Sequence, residues 1–146
     1  MAGQNTLIGR DAERTALGRL LDGVREGESR TLVLRGEPGS GKTALLDDMI
    51  GSARDFRVLR AVGVDSEMEL PFAALHQLCA PLLDRLPRLP GPQRDALRVA
   101  FGLSGGEAPD RFLVGLAALS LLSEAAEHRP LLCAIDDASG WTRYRP

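Results

Sequence analysis

The sequence predicts an α/β fold with a parallel sheet, on three observations. A short apolar run, Arg30-Thr31-Leu32-Val33-Leu34-Arg35, leads directly into Gly36-Glu37-Pro38-Gly39-Ser40-Gly41-Lys42-Thr43 and then into a stretch of helical pattern. A second apolar run, Leu131-Leu132-Cys133-Ala134-Ile135, ends in the paired carboxylates Asp136 and Asp137. Between the two lie segments whose apolar residues recur at helical spacing, as strands alternating with helices require.

The first predicted element is a helix from Asp11 to about Glu26, with Leu17, Leu20, Leu21 and Val24 on one face and Gly27 as its stop. Residues 1–28 form this N-terminal part. Residues 29–64 form a strand, loop, helix, strand unit: Arg30 to Arg35 reads as a buried strand, Thr43 to Ile50 opens a helix, and Phe56 to Val64 reads as the next strand. A right-handed crossover into a parallel pair is expected. Residues 65–129 are read as helical. Pro71 suits a first turn, Pro81 breaks or bends the helix Phe72 to Leu83, and Pro87, Pro90 and Pro92 punctuate a turn. A short helix, Gln93 to Phe101, a glycine-rich loop, and a long apolar helix, Pro109 to His128, follow. Its residues Phe112, Leu113, Leu116, Leu119 and Leu122 are read as core packing. Residues 130–137 are the last strand, and 138–146 an atypical polar tail.

Lys42 is the only lysine in the chain; every other basic side chain is arginine. It stands in a complete G-x-x-x-x-G-K-[ST] phosphate loop, where a compact ammonium on a flexible stem reaches between phosphate oxygens. Gly36, Gly39 and Gly41 leave room for backbone N–H groups to turn inward, and the following helix adds the partial positive charge of its N-terminus. Gly36, Glu37, Pro38, Gly39, Ser40, Gly41, Lys42, Thr43 and Ala44 are therefore the candidate nucleotide-binding residues. Thr43 and Asp136 are the candidate Mg²⁺ ligands, because that ion takes few protein oxygens beside phosphate and water. In a parallel sheet, ligands bind beyond the carboxyl ends of the strands, which is where Asp136 stands. Asp137 is the candidate water-orienting acid beside it.

The composition bounds the rest. The 146 residues are 44% hydrophobic and 26% charged, an ordinary globular balance. A net charge of −2 with interspersed signs offers no basic stripe for DNA or an anionic membrane. No signal-peptide pattern opens the chain and no apolar run reaches the roughly eighteen residues of a membrane span, so cytoplasm is the expected location. Cys79 and Cys133 lie alone in apolar runs and read as small buried hydrophobes. His76, on an apolar helix, reads as a packed residue, and Glu67 and Glu69 as solvated loop acids.

Leu7-Ile8-Gly9-Arg10-Asp11-Ala12-Glu13, the phosphate loop, Leu70-Pro71-Phe72-Ala73-Ala74-Leu75-His76-Gln77-Leu78, Pro109 to Ala117 and Leu131 to Ala138 together resemble a known family. The chain is similar to the N-terminal ATPase region of the large ATP-binding LuxR-type transcriptional regulators of actinobacteria, in the STAND class of AAA-related ATPases. The resemblance covers Leu7 to about Ala138. It implies a three-layer P-loop sandwich, ATP or ADP with Mg²⁺ as ligands, a nucleotide-switch role, and Arg10 near the adenine and phosphates. No guanine-reading motif is present, so the base rests on the family. The family pattern after the second acid is not followed: Ser139-Gly140-Trp141-Thr142-Arg143-Tyr144-Arg145-Pro146 is polar and arginine-rich. The expectation is a C-terminally incomplete domain, truncated or frame-shifted, without sensor or arginine finger. Hydrolysis would then be weak or absent, and an exposed sheet edge would be open to self-association. The alternatives are a stand-alone AAA-type ATPase completed by oligomerisation, and an interaction module or remnant that no longer binds nucleotide.

Overall fold

In the computed structural model the described residues are 9–37, 40–63 and 72–136. The chain divides into two units, Met1–Phe56 and Arg57–Pro146.

The first unit is a pair of helices. Helix α1, Asp11–Arg25, carries Asp11 and Glu13 in its first turn and Arg25 in its last, the charge order that a helix dipole favours. It ends where the sequence places the stop. Gly27 takes φ +93°, Gly27 N–H bonds to the carbonyl of Val24, and Glu28 N–H reaches back to Gly23. That pair of bonds satisfies carbonyls the helix would otherwise leave open. Helix α2, Lys42–Ser52, packs on α1. Leu17, Leu21, Leu45, Met49, Ala53 and Phe56 are buried in this unit, and each large side chain among them contributes roughly 1.5–3 kcal/mol. Arg14 grips Asp48 through two nitrogens, at 2.9 and 3.4 Å. Arg25 grips Asp55 at 2.7 and 2.8 Å and lies over the Phe56 ring. Both pairs are solvent-exposed, so each adds little to stability.

The run Arg30 to Arg35 departs from expectation. It is not a strand: residues 31–37 are irregular, with Leu32 47% and Val33 68% exposed. An apolar, β-branched run becomes a strand only when a neighbour takes its backbone N–H and C=O groups, and none of the described residues pairs with it. The expected strand-loop-helix-strand unit is therefore a loop-helix-strand among the described residues.

The second unit contains strand β1, Arg57–Val62, and strand β2, Leu131–Asp136, paired in parallel from Arg57 opposite Leu131 to Val62 opposite Asp136. Helices connect them: α3, Ala73–Cys79; a 3₁₀ helix, Ala80–Arg88; α4, Gly91–Ala100; and α5, Arg111–Ala126. The change from α to 3₁₀ falls at Ala80, beside Pro81, which has no N–H to continue the α ladder. Pro90 and Pro92 sit at the start of α4, where a missing N–H costs nothing. Asp110 caps α5 by accepting from the N–H groups of Phe112 and Leu113 at 2.7 and 3.2 Å.

The core of this unit joins Leu59 and Ala61 of β1 to Leu78, Cys79, Leu82, Leu97, Val114, Ala117, Leu121 and their neighbours. Helix α5 is apolar all round but is covered only in part. Its buried side is Val114, Ala117, Ala118, Leu121 and Ala125. Leu113 and Leu122 pack partly against the core, whereas Phe112, Leu116 and Leu119 are 79%, 40% and 64% exposed. The reading of all five as core is thus corrected for three of them, because a cylinder apolar on every side cannot be buried by neighbours on one side alone. Cys79 is fully buried, as expected, but Cys133 is exposed. The parallel sheet has two strands among the described residues, where the sequence promised three. No described helix is long and apolar enough to cross a membrane.

Candidate functional site

Of the phosphate loop, Pro38 and Gly39 lie outside the described residues; Gly36, Glu37 and Ser40 onward are described. Gly41 takes φ +87° immediately before α2, a left-handed turn that glycine adopts without strain. The first intrahelical bond runs from Leu45 N–H to the Gly41 carbonyl at 3.0 Å. The N–H groups of Lys42, Thr43 and Ala44 therefore have no acceptor within the helix and belong to its positive end. At Gly36 a Cβ would crowd the Ser40 hydroxyl, so any larger residue there would force the Ser40 side chain to move.

Lys42 bends back over the loop. Its Nζ donates to the carbonyls of Gly36 at 2.6 Å and Glu37 at 2.9 Å, and reaches the Ser40 hydroxyl at 3.4 Å. The ammonium is thus held at the mouth of the loop by neutral acceptors. Phosphate oxygens carry formal negative charge and so add an ion–ion attraction for the ammonium that neutral carbonyls lack. A tight glycine turn, an inward cation and an open helix N-terminus together suit a di- or triphosphate.

Arg10 joins this loop from outside it. Its Nη2 donates to the Ser40 carbonyl, and its Nη1 pairs with Glu13 at 3.1 Å. Glu13's own backbone N–H and then the Arg10 guanidinium hold the Glu13 carboxyl below its ordinary range. The sequence reading placed Arg10 near phosphates; in the structure it braces the peptide two residues before the lysine.

In the second unit Asp136 is the last residue of β2, opposite Val62, the last of β1. Gly63 N–H donates to its carbonyl at 3.0 Å. Its carboxylate, 17% exposed, lies 3.9 Å from Nη2 of Arg60, which projects from the neighbouring strand. A part-exposed carboxylate at a strand's carboxyl end fits one ligand position on a hydrated Mg²⁺. No group of three or more acidic, histidine or cysteine side chains forms a metal cage among the described residues. Asp137, Glu67 and Glu69 lie outside them.

His76 stacks on Phe101, with centroids 4.8 Å apart and planes 17° from parallel, in keeping with a packing role. The next residue is one the sequence reading passed over. The Gln77 carboxamide accepts from Val62 N–H at 3.0 Å and donates to Val62 C=O at 3.2 Å, so a side chain does what a neighbouring strand would do. The only available signal was that Gln77 lies inside the stretch Leu70 to Leu78 on which the resemblance rests. Arg60 was missed for the opposite reason, since an arginine in a strand with alternating burial reads as a solvated residue.

A family model described as an AAA ATPase domain matches residues 6–144. No curated protein and no solved structure matches the chain.

Proposed function

Because the chain belongs to the AAA ATPase domain family, we propose that it binds ATP or ADP with Mg²⁺ through Gly36 to Ala44 and works as a nucleotide switch. On this reading it is the ATPase region of a LuxR-type STAND regulator, acting in the cytoplasm on nucleotide and not directly on DNA. The observation that carries the reading is Lys42 folded over Gly36 and Glu37, with the N-terminus of α2 behind it. On binding, the ammonium exchanges these carbonyls for β- and γ-phosphate oxygens, the N–H groups from Gly41 to Ala44 face the β-phosphate, and Arg10 keeps the Ser40 peptide in place. Mg²⁺, when bound, neutralises phosphate charge, and Thr43 and Asp136 are its assigned protein ligands. Asp137 is the assigned water-orienting acid, and hydrolysis is expected to be slow.

The test is titration of the purified chain with fluorescent ATP and ADP, with and without Mg²⁺, beside Lys42→Ala and Asp136→Asn. Micromolar binding that Lys42→Ala weakens at least about a hundredfold, some 2.7 kcal/mol, is the expected result. Asp136→Asn should retain binding without Mg²⁺ and lose the increment that Mg²⁺ adds. Equal affinity in wild type and Lys42→Ala refutes the assignment. Phosphate release that scales with protein and disappears in Lys42→Ala would favour a competent ATPase over a slow switch.

A further inference from the structure

Residues in register across a parallel pair share a face, and side chains alternate along each strand. Val58, Arg60 and Val62 of β1 therefore lie on the same face as Leu132, Ala134 and Asp136 of β2. Arg60 and Asp136 are the charged positions of this face, one of each sign. The rest of it is apolar, with Leu132 and Ala134 buried. Arg60 stands opposite Ala134, so Asp136 is its diagonal neighbour, and Nη2 of Arg60 lies 3.9 Å from Oδ2 of Asp136. The Asp136 side chain is 17% exposed and that of Arg60 39%. Surroundings of this kind screen a charge pair less than bulk water does, so each charge feels the other more strongly.

The main chain beneath the pair is held in place. Leu59 and Ala61, on either side of Arg60, are each 1% exposed within the core. Gln77 bonds both backbone groups of Val62, and Gly63 N–H bonds to the Asp136 carbonyl. Any parting of the two charges therefore falls to side-chain torsions. Arg60 is the longer and more exposed of the two, and has solvent to turn into.

We propose that Arg60 is the resident counter-ion of Asp136 and sets the divalent-cation concentration at which Asp136 takes up its metal. The inference rests on the reading of Asp136 as a Mg²⁺ ligand. A carboxylate that already neutralises a guanidinium offers a metal less net charge, and the guanidinium itself repels the incoming cation. Mg²⁺ is a small ion with twice the charge of a guanidinium, so it wins the carboxylate once it is concentrated enough. A monovalent ion brings no more charge than Arg60 and gains nothing by the exchange. The pair thus works as a threshold. Below it Arg60 faces Asp136, and above it the metal does.

The experiment measures the affinity of the whole chain for fluorescent ATP across a Mg²⁺ series. Wild type, Arg60→Ala, Arg60→Gln, Arg60→Lys, Asp136→Asn and the double variant Arg60→Ala with Asp136→Asn are compared. Formation of Mg-ATP in solution is common to all of them, so differences in the half-effect concentration belong to the protein. The two neutral variants of Arg60 should need at least about threefold less Mg²⁺ than wild type. Arg60→Lys, which keeps the charge, should stay within about twofold of wild type. Metal-free ADP should bind every variant alike. A lower Mg²⁺ requirement is a gain, which a folding defect does not produce. The double variant should lack the Mg²⁺ increment just as Asp136→Asn does, since the effect of Arg60 runs through that carboxylate. An unchanged or higher Mg²⁺ requirement in both neutral variants overturns the proposal. If Asp136→Asn still loses the increment in that case, the metal reading stands and the counter-ion role alone falls. If Asp136→Asn keeps the full increment, Asp136 is not the ligand and both fall.

Discussion

At the scale of single residues, the two cysteines show how one residue type takes opposite roles. Burial pushes the Cys79 thiol up to about 11, with the nearby Cys133 adding to the shift, and the Cys133 thiol is also raised by partial desolvation. Cys133 nevertheless exposes surface, whereas Cys79 exposes none. Accessibility decides reaction with a bulky reagent, because a thiolate that cannot be reached does not react. An aromatic disulfide reagent at pH 8 should therefore modify Cys133 within minutes and Cys79 only on the timescale of unfolding. Raising the pH toward 11 ionises Cys79 in place. A group whose folded pKa is raised stabilises the fold below its unfolded pKa, near 9, and loses that contribution as pH climbs through the folded value. Stability should thus fall between about pH 9 and pH 11 in wild type, and by less in Cys79→Ala once its cavity cost is subtracted. Equal labelling rates for the two thiols would contradict the burial described. The sequence read both cysteines alike because period-two alternation in β2 tells which residues share a face, not which face is covered.

At the scale of elements, what was legible depended on whether an element is fixed by its own residues. The stop of α1 at Gly27, the start of α5 near Pro109 and the break beside Pro81 are local, and the sequence places each within a residue or two. The turn at Gly41 was equally legible, because the phosphate-loop motif prescribes its chemistry. The run Arg30 to Arg35 was misread because a strand depends on a partner, and composition carries no information about the partner's presence. Gln77 belongs at this scale as well, since it takes the outward backbone groups of Val62 as a neighbouring strand would. Gln77→Ala removes both bonds to Val62 and should cost about 1–3 kcal/mol, as for polar groups deprived of their partners. The loss would be read as a lower urea midpoint with an unchanged slope. Gln77→Glu, which keeps only the acceptor half of the pair, should fall between. A Gln77→Ala chain with wild-type stability would remove the capping role.

At the scale of the whole molecule, the proposed function separates what each unit contributes. The proposed phosphate-binding groups, Gly36 to Ala44 with Arg10, all belong to the unit Met1–Phe56, and the proposed metal acid, Asp136, to the unit Arg57–Pro146. A ligand that binds only the folded state stabilises it by RT ln(1 + [L]/Kd), about 2.7 kcal/mol at a hundred times Kd. ADP without metal engages only the loop, so its protection against amide exchange should centre on residues 40–46 and leave 131–136 unchanged. If Asp136 is the metal ligand proposed above, ATP with Mg²⁺ should extend protection to the end of β2 and to Gly63, whose N–H is bonded to the Asp136 carbonyl. Lys42→Ala should abolish both patterns, whereas Asp136→Asn should abolish only the second. A switch needs that difference, because a nucleotide can shift an equilibrium only by its differential interaction with the two states. If ATP with Mg²⁺ and metal-free ADP protect the same residues to the same degree, the chain binds nucleotide without reading which one it holds, and the switch role fails while the binding role stands.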